Sequence, residues 1–319
     1  MSKSIYDCVV VGDVMFDVFV RRNAVKLDHL QNGTSYCDFA KIDFGGAGNV
    51  ASGLSFLGAK VFFIGSAGND SWGKLYFRDL STNGVTARIF FEKHVPTGLS
   101  IVSLDPNGER SFMVSRGAND LLTVKEVERS LDTIKSSKYL YFSGYSLVAD
   151  PQKSAILRAI EYAKRIGIKI FFDPGAHNLA KSNLKLFTRL FDLSDVFCPN
   201  ASEAKAMTRS RKLETAIIRL KKTGKLVALK CGSEGCMIID DDKCIKVPGF
   251  GIKCVDTTGA GDAFAAALIY GLTRNFPSDT AGKLANWFAS RIVAEIGARN
   301  FPGRRDLLRF ERSLRLPVT

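Results

Sequence analysis

Histidine is scarce in this chain: His29, His94 and His177 are the only three in 319 residues. They share no metal-ligand spacing, so each reads as structural or exposed. The seven cysteines, at 8, 37, 198, 231, 236, 244 and 254, contain no C-x2-C pair. Cys231 and Cys236 have no histidine nearby to complete a zinc site, and several of the others sit in apolar, strand-like runs. Reduced, buried thiols are therefore expected. No Gly-x4-Gly-Lys-Ser/Thr run occurs, which excludes a P-loop at motif level. No apolar run is long enough for a bilayer, and the first residues lack a signal peptide's basic region, apolar core and cleavage site. A cytoplasmic protein with no membrane partner is expected. Long linkers, internal repeats and low-complexity segments are absent too, so residues 1–319 are expected to form one unit.

The remaining composition is that of a globular protein, with 46% hydrophobic and 24% charged residues. The formal net charge of +13 is its one oddity. Its basic residues are scattered, and the densest stretch (Arg299, Arg304, Arg305, Arg309, Arg312, Arg315) has the helical spacing of a solvated face. Nucleic acid is not an expected partner, since a small substrate with a nucleotide suits a positive field equally well.

Tyr6–Gly12 and Val61–Gly65 are short apolar runs ended by glycine, the pattern of fully buried strands. Ser35–Phe44 alternates polar and apolar residues instead, which indicates a sheet with one wet face. Strands are also expected at Ala87–Glu92, Gly98–Leu104 and Arg110–Ser115, with a hairpin signal at Asp105-Pro106-Asn107-Gly108. These, with part of 14–44, are assigned to a second, smaller sheet drawn from about 14–44 and 85–116. After Asp120 helix and strand alternate strictly: helices over 123–135, 151–165 and 181–190 precede strands Tyr139–Ser143, Ile168–Asp173 and Asp195–Cys198. Further helices are expected over 201–208, 213–222, 261–273, 278–296 and 304–314, and a hairpin around Asp240–Asp242. Alternation of this kind gives an α/β fold whose mostly parallel sheet is covered by helices on both faces, three layers in all.

Parallel sheets bind ligands beyond the carboxyl ends of their strands, which draws attention to Asp13, Asp17, Asp173, Pro199–Glu203 and Asp256–Asp262. Cys254–Asp262 runs from a strand end through two threonines and a Gly-Ala-Gly turn into Ala263–Ile269, a run of good helix formers. Such a turn presents backbone N–H groups that no intrahelical carbonyl satisfies, so it is an anion site. A carboxylate there, Asp262, either caps the helix or takes part in chemistry. Asn200-x-x-Glu203 after a strand reads on its own equally well as a capping box. Gly46-x-Gly48-x-x-Ala51 matches a dinucleotide fingerprint, but the strand before it alternates and does not open the first β-α-β unit.

Taken in order, Gly45-Gly46-x-Gly48-Asn49, Gly65-x-x-Gly68-x-Asp70-x-x-Gly73, Asn200-x-x-Glu203 and Asp256-Thr257-Thr258-Gly259-Ala260-Gly261-Asp262 resemble the ribokinase-like (PfkB) family of carbohydrate and nucleoside kinases. The resemblance runs from Val9 to about Gly303. It implies a three-layer domain whose small sheet is a lid, and use of ATP and Mg²⁺. By the resemblance, Asp262 takes the proton of the acceptor hydroxyl, and the N–H groups of Gly259, Ala260 and Gly261 hold the transferring phosphoryl group. Asn200 and Glu203 would help hold Mg²⁺ through water. Asp13, Asp17, Gly45, Gly46 and Asn49 fall at substrate positions. Lys230, Gly232, Gly235, Thr257, Asn200 and Asn286 fall on the nucleotide side. Asp256 and Thr258 match part of a loop that binds a monovalent cation, such as K⁺, in some members.

Met15 departs from the pattern, because ribokinases proper carry asparagine there. The Gly12-Asp13-Val14-Met15-x-Asp17 opening is more similar to the heptose-phosphate kinase branch and other sugar kinases. Arg116 and Asn119 are candidates to meet a carboxylate or phosphate on the substrate, with an exposed arginine and a turn asparagine as the alternative. The expected activity is ATP-dependent phosphorylation of a hydroxyl, foremost a hydroxymethyl, of a sugar or sugar acid. A nucleoside kinase is the alternative, and a sugar-binding regulator without turnover is more remote. An open small sheet, with Phe39, Phe44, Phe90, Phe91 and Phe112, fits a homodimer through the lid; packing of those rings on the large domain accounts for them too.

Overall fold

Residues 8–11, 139–142 and 170–172 are apolar at every position because helices cover both faces of the sheet they enter. The computed structural model describes residues 4–22, 36–104, 110–175, 177–241 and 243–314. His29, the turn at 105–108, Asp242 and Arg315 lie outside them. The first third of the chain forms β1 (Tyr6–Val11), β2 (Val14–Arg22), β3 (Cys37–Gly46), α1 (Gly48–Leu57), β4 (Val61–Gly68), α2 (Ser71–Thr82), β5 (Thr86–Glu92), β6 (Gly98–Leu104) and β7 (Arg110–Ser115). Then come α3 (Val124–Glu128), α4 (Leu131–Lys135), β8 (Ser137–Ser143), α5 (Gln152–Arg165), β9 (Lys169–Asp173), α6 (His177–Ser182), α7 (Leu184–Leu193) and β10 (Val196–Phe197). The last third holds α8 (Ala201–Met207), α9 (Leu213–Lys221), β11 (Leu226–Lys230), β12 (Gly235–Asp240), β13 (Lys243–Pro248), α10 (Ala260–Thr273), α11 (Ser278–Ile292) and α12 (Arg304–Ser313).

The large sheet has nine strands in the order β13-β12-β11-β10-β9-β8-β1-β4-β5. It is parallel from β5 to β11 and ends in the antiparallel β12–β13 hairpin. Successive side chains point to opposite faces, so each strand feeds two cores. Cys8, Val10, Tyr141 and Phe171 pack with α1, α2, α10, α11 and α12. Val9, Val11, Phe142 and Phe172 pack with α3 to α9. Burying each such ring or branched side chain contributes roughly 1.5–3 kcal/mol.

The small sheet has the order β3-β2-β6-β7. The strand at 86–92 does not join it, contrary to expectation: β5 pairs in parallel with β4 from Phe62↔Thr86 to Gly68↔Glu92. As an edge strand it is covered on part of its surface only, which produces the mixed pattern of a lid strand. Phe90 and Phe91 go with it. The helix expected over 123–135 is two short ones, because a Thr123–Glu126 capping box opens α3 and the chain breaks at Arg129–Ser130. The helix expected over 181–190 is likewise split at Asn183 into α6 and α7.

Two devices fasten lid to body. Asp70 caps α2 at Gly73 N (2.7 Å) and also accepts from Thr97 N (2.8 Å) and Thr97 Oγ1 (2.7 Å), just before β6. The Gly65–Gly73 motif is thus a clasp at the root of the lid; a Cβ on Gly73 would meet the Gly68 carbonyl at 2.2 Å. On the far side Lys41 of β3 donates to the Ile296 carbonyl (2.6 Å) and pairs with Asp43 (3.2 Å). Cys8, Cys198 and Cys236 are buried free thiols as expected, whereas Cys37, Cys244 and Cys254 are exposed. No described helix is long and apolar enough to cross a membrane.

Candidate active site

The parallel strands end along one edge, where β9 delivers Asp173, β10 leads to Asn200, and β11 delivers Lys230. The N-terminus of α10 faces them. Gly259 precedes that helix with φ 76°, and a Cβ there would stand 2.5 Å from the Ala298 Cβ, so both conformation and space require glycine. Of the three expected anion-hole donors, Ala260 N is occupied by the Thr257 carbonyl at 3.2 Å, which closes the turn. That leaves Gly259 and Gly261 as the candidates for that role. A Cβ on Gly261 would meet only Lys230 Nζ, at 3.8 Å, so the ammonium lies beside the same turn.

Asp262 does not cap its helix; its Oδ2 accepts from Asn49 Nδ2 at 3.0 Å. Burial raises its pKa to about 6 against the lowering effect of the Asn49 bond. Asp17 on β2 faces it from the lid. Burial first, then the charges of Asp262 and Asp43, raise Asp17 to about 7. Gly45 makes room for this carboxylate, since a Cβ there would lie 2.4 Å from Asp17 Oδ2. Gly46, at φ 68°, lets the chain pass the Asp13 carbonyl.

Lys230 binds both oxygens of Asp173, at 3.2 and 3.0 Å. Burial opposes its charge, but Asp173, with Glu203 adding to it, holds its pKa above the ordinary range. Asn200 and Glu203 do form the capping box of α8. Glu203 accepts from Asn200 N (2.8 Å) and Nδ2 (2.7 Å), and Asn200 Oδ1 accepts from Glu203 N (2.9 Å). Burial raises Glu203 to about 6. Both its oxygens thus have one partner each and keep lone pairs for water, a donor set that suits an outer-sphere contact with Mg²⁺. The buried Asp256 carboxylate accepts from Thr258 N (2.9 Å), Thr258 Oγ1 (2.7 Å) and Gly297 N (3.0 Å). Thr257 is exposed beside it.

Four expected ligand residues are committed to the fold instead. Arg116 spends all five N–H groups on Asp120, both Asp13 oxygens, the Tyr145 carbonyl and Gln152. Asp13 also accepts from Gln152 Nε2 at 2.7 Å, so it belongs to this clasp. Asn119 is fully buried and is used up on Val14 N, Val14 O and Arg116 O. Asn286 holds the end of β13 through the Val247 and Pro248 carbonyls, at 3.0 and 3.1 Å. Gly235 turns the chain under Val247 O, and Gly232 borders open space.

Sequence reasoning missed Arg299, which it placed on a solvated helical face. The residue lies in the segment between α11 and α12, with its side chain 8% exposed, donating to Asn49 Oδ1 at 2.8 Å and pairing with Asp79. The turn-forming context Gly297-Ala298-Arg299-Asn300-Phe301-Pro302-Gly303 was the available signal against a helix.

A family model described as pfkB family carbohydrate kinase matches residues 6–303. Fructokinase-2 of Solanum lycopersicum is 34% identical over 238 residues, which cover 72% of this chain and 73% of that protein. An uncharacterized sugar kinase of Archaeoglobus fulgidus is 31% identical over 252 residues, 77% of this chain and 96% of its own length. Among solved structures, adenosine kinase from Sinorhizobium meliloti superposes with a TM-score of 0.86 at 26% identity, covering 97% of this chain and 99% of that one. With the match spanning both the lid strands and the α10 turn, this chain belongs to the pfkB family of carbohydrate kinases.

Proposed function

We propose that the chain transfers the terminal phosphoryl group of ATP to a hydroxymethyl of a neutral sugar, with Asp262 as the base. The observation that carries this is Asp262 itself: an acid in the first turn of α10 that is not a cap, is oriented by Asn49, and follows directly on the Gly259–Gly261 turn. A carboxylate with a pKa of about 6 is a weak ground-state base for an alcohol. It suffices when the hydroxyl becomes acidic only as its bond to phosphorus forms. Gly259 and Gly261 receive the charge that spreads over the phosphoryl oxygens, and Lys230 adds a positive charge at the same turn. Mg²⁺ would supply further neutralisation of the phosphates, with Glu203 and Asn200 touching its water shell.

A neutral acceptor is favoured over a sugar acid. Among the described residues Arg116 is saturated and Arg299 is held by Asn49 and Asp79, while the groups gathered around the acceptor position, Asp17, Asp43 and Asp262, are acids. The fructokinase relatives support the same class. The likeness to an adenosine kinase keeps a nucleoside as the second reading. Retention of Asp262 with its partner argues against a silent regulator.

A panel of fructose, ribose, keto-deoxy sugar acids and nucleosides, read by coupled ADP release, tests the substrate class. Fastest turnover of a ketose or aldose supports the reading, and a nucleoside preference overturns it. Asp262→Asn should lose ~10²–10⁴-fold in kcat with substrate binding nearly kept; wild-type turnover in this variant removes the base assignment. The reading also places K⁺ at the Asp256–Thr258 loop. Turnover should be higher in potassium than in tetramethylammonium chloride, and equal rates would remove the cation.

A further inference from the structure

We infer that Arg299 is a positioning residue for the base, acting through Asn49; this rests on Asp262 having that role. The amide of Asn49 has a donating and an accepting end, and Asp262 needs the donating one. With the amide turned round, its carbonyl would face a carboxylate and its NH₂ would face the Arg299 Nε–H. Two acceptors would meet at one end and two donors at the other. Arg299 Nε, 2.8 Å from Asn49 Oδ1, therefore fixes which end Asn49 Nδ2 presents to Asp262 Oδ2, 3.0 Å away.

Arg299 is itself held rigidly. Asp79 of α2 pairs with its Nη1, and its guanidinium lies 4.9 Å from the Phe44 ring centre and 5.6 Å from that of Tyr76. Its Nη2 is buried with no hydrogen-bond partner among the described residues, beside Gly48, where a Cβ would come within 3.0 Å of it. A buried donor left unpaired is costly, and the stacked rings and the Asp79 pair keep the guanidinium there nonetheless. The residues just before it bind the same site: Gly297 N donates to Asp256, and Ala298 packs under Gly259. One short segment thus sets the cation loop, the anion-hole glycine and the orientation of the base.

The test is a double-mutant cycle with steady-state kinetics on ATP and D-fructose, or the best sugar of the panel, with Asp262→Asn measured alongside. Arg299→Met should lower kcat by ~10–100-fold, as a misplaced reacting group does, while KM for ATP stays within ~3-fold. Because Arg299 acts through Asn49, Arg299→Met should add little to the kcat loss of Asn49→Ala. Methylguanidinium should restore part of the kcat of Arg299→Ala, and methylammonium should not. Wild-type kcat in Arg299→Met, or losses that multiply in the double variant, overturns the inference. Should Arg299→Met not fold, Arg299→Lys decides: one ammonium cannot serve Asn49 and Asp79 together, so its kcat should fall, and a wild-type kcat overturns the inference. Turnover that survives Asp262→Asn sinks the base reading itself; an inactive Asp262→Asn with a normal Arg299 variant sinks the positioning role alone.

Discussion

Asp262 and Asp17 are both pushed upward by burial; the charge of Asp262 makes Asp17 harder to ionise, and that of Asp173 does the same to Asp262. As the proposed base Asp262 must be ionised, so kcat/KM for the sugar should rise with pH through about 6 and level off above it. An acid limb that persists unchanged in a variant with a weakened Asn49 contact would contradict its assignment to Asp262. Stability runs the other way for Asp17. Its folded pKa of about 7 lies above the ordinary carboxylate value of 3.8, so the native state holds the extra proton between those limits. Its contribution is present below the unfolded pKa and is lost as pH rises through about 7. Asp17→Asn should therefore flatten the fall in urea midpoint between pH 5 and 8; an identical pH slope in both proteins would refute this. The acids themselves were readable as residues placed after strands. The effect of Asp262 on Asp17 was not, because it needs β2 and α10, far apart in sequence, brought face to face.

At the level of elements, the N-terminus of α10 separates two glycines that look alike in sequence. Gly259 has a left-handed φ and touches Ala298, whereas Gly261 has only a flexible lysine nearby. Gly259→Ala should lose ~1–3 kcal/mol in urea unfolding from backbone strain, with the clash added. Gly261→Ala should unfold at the wild-type midpoint or above it, since alanine is the better helix former. Equal losses in the two would contradict this account. Strand β5 shows the opposite case, where a pattern misled. A mixed run such as Thr86–Glu92 reports a partly covered strand, and an edge strand of the main sheet meets that condition as well as a lid strand does. The capping box at Asn200 was legible as local geometry, and it is present whatever else Glu203 does.

For the whole molecule, the buried Asp13–Arg116–Gln152 cluster ties the end of β1, the entry to the lid and the start of α5 into one frame. Arg116→Met would leave the Asp13 charge buried with fewer partners, so a loss of ~3–5 kcal/mol is expected in unfolding experiments. A small stability change with a raised KM for anionic sugars would instead return Arg116 to the substrate. The lid carries Phe112, Met113 and Val114 of β7 and Ile42 of β3 at 52% exposure or more. That supports the proposed homodimer through the small sheet, and light scattering of wild type against Phe112→Asp measures it. A monomer at micromolar concentration in the wild type removes the proposal.

The family, the alternation of helix and strand, the anion-binding turn and its acid follow from local patterns, because backbone conformation and strand burial leave short-range marks in the chain. Arg299 joining Asn49, Arg116 turning inward to Asp13, and β5 leaving the lid were decided by tertiary structure alone. A polar side chain's partner depends on which distant element packs against it. Nothing in its own neighbourhood along the chain records that choice.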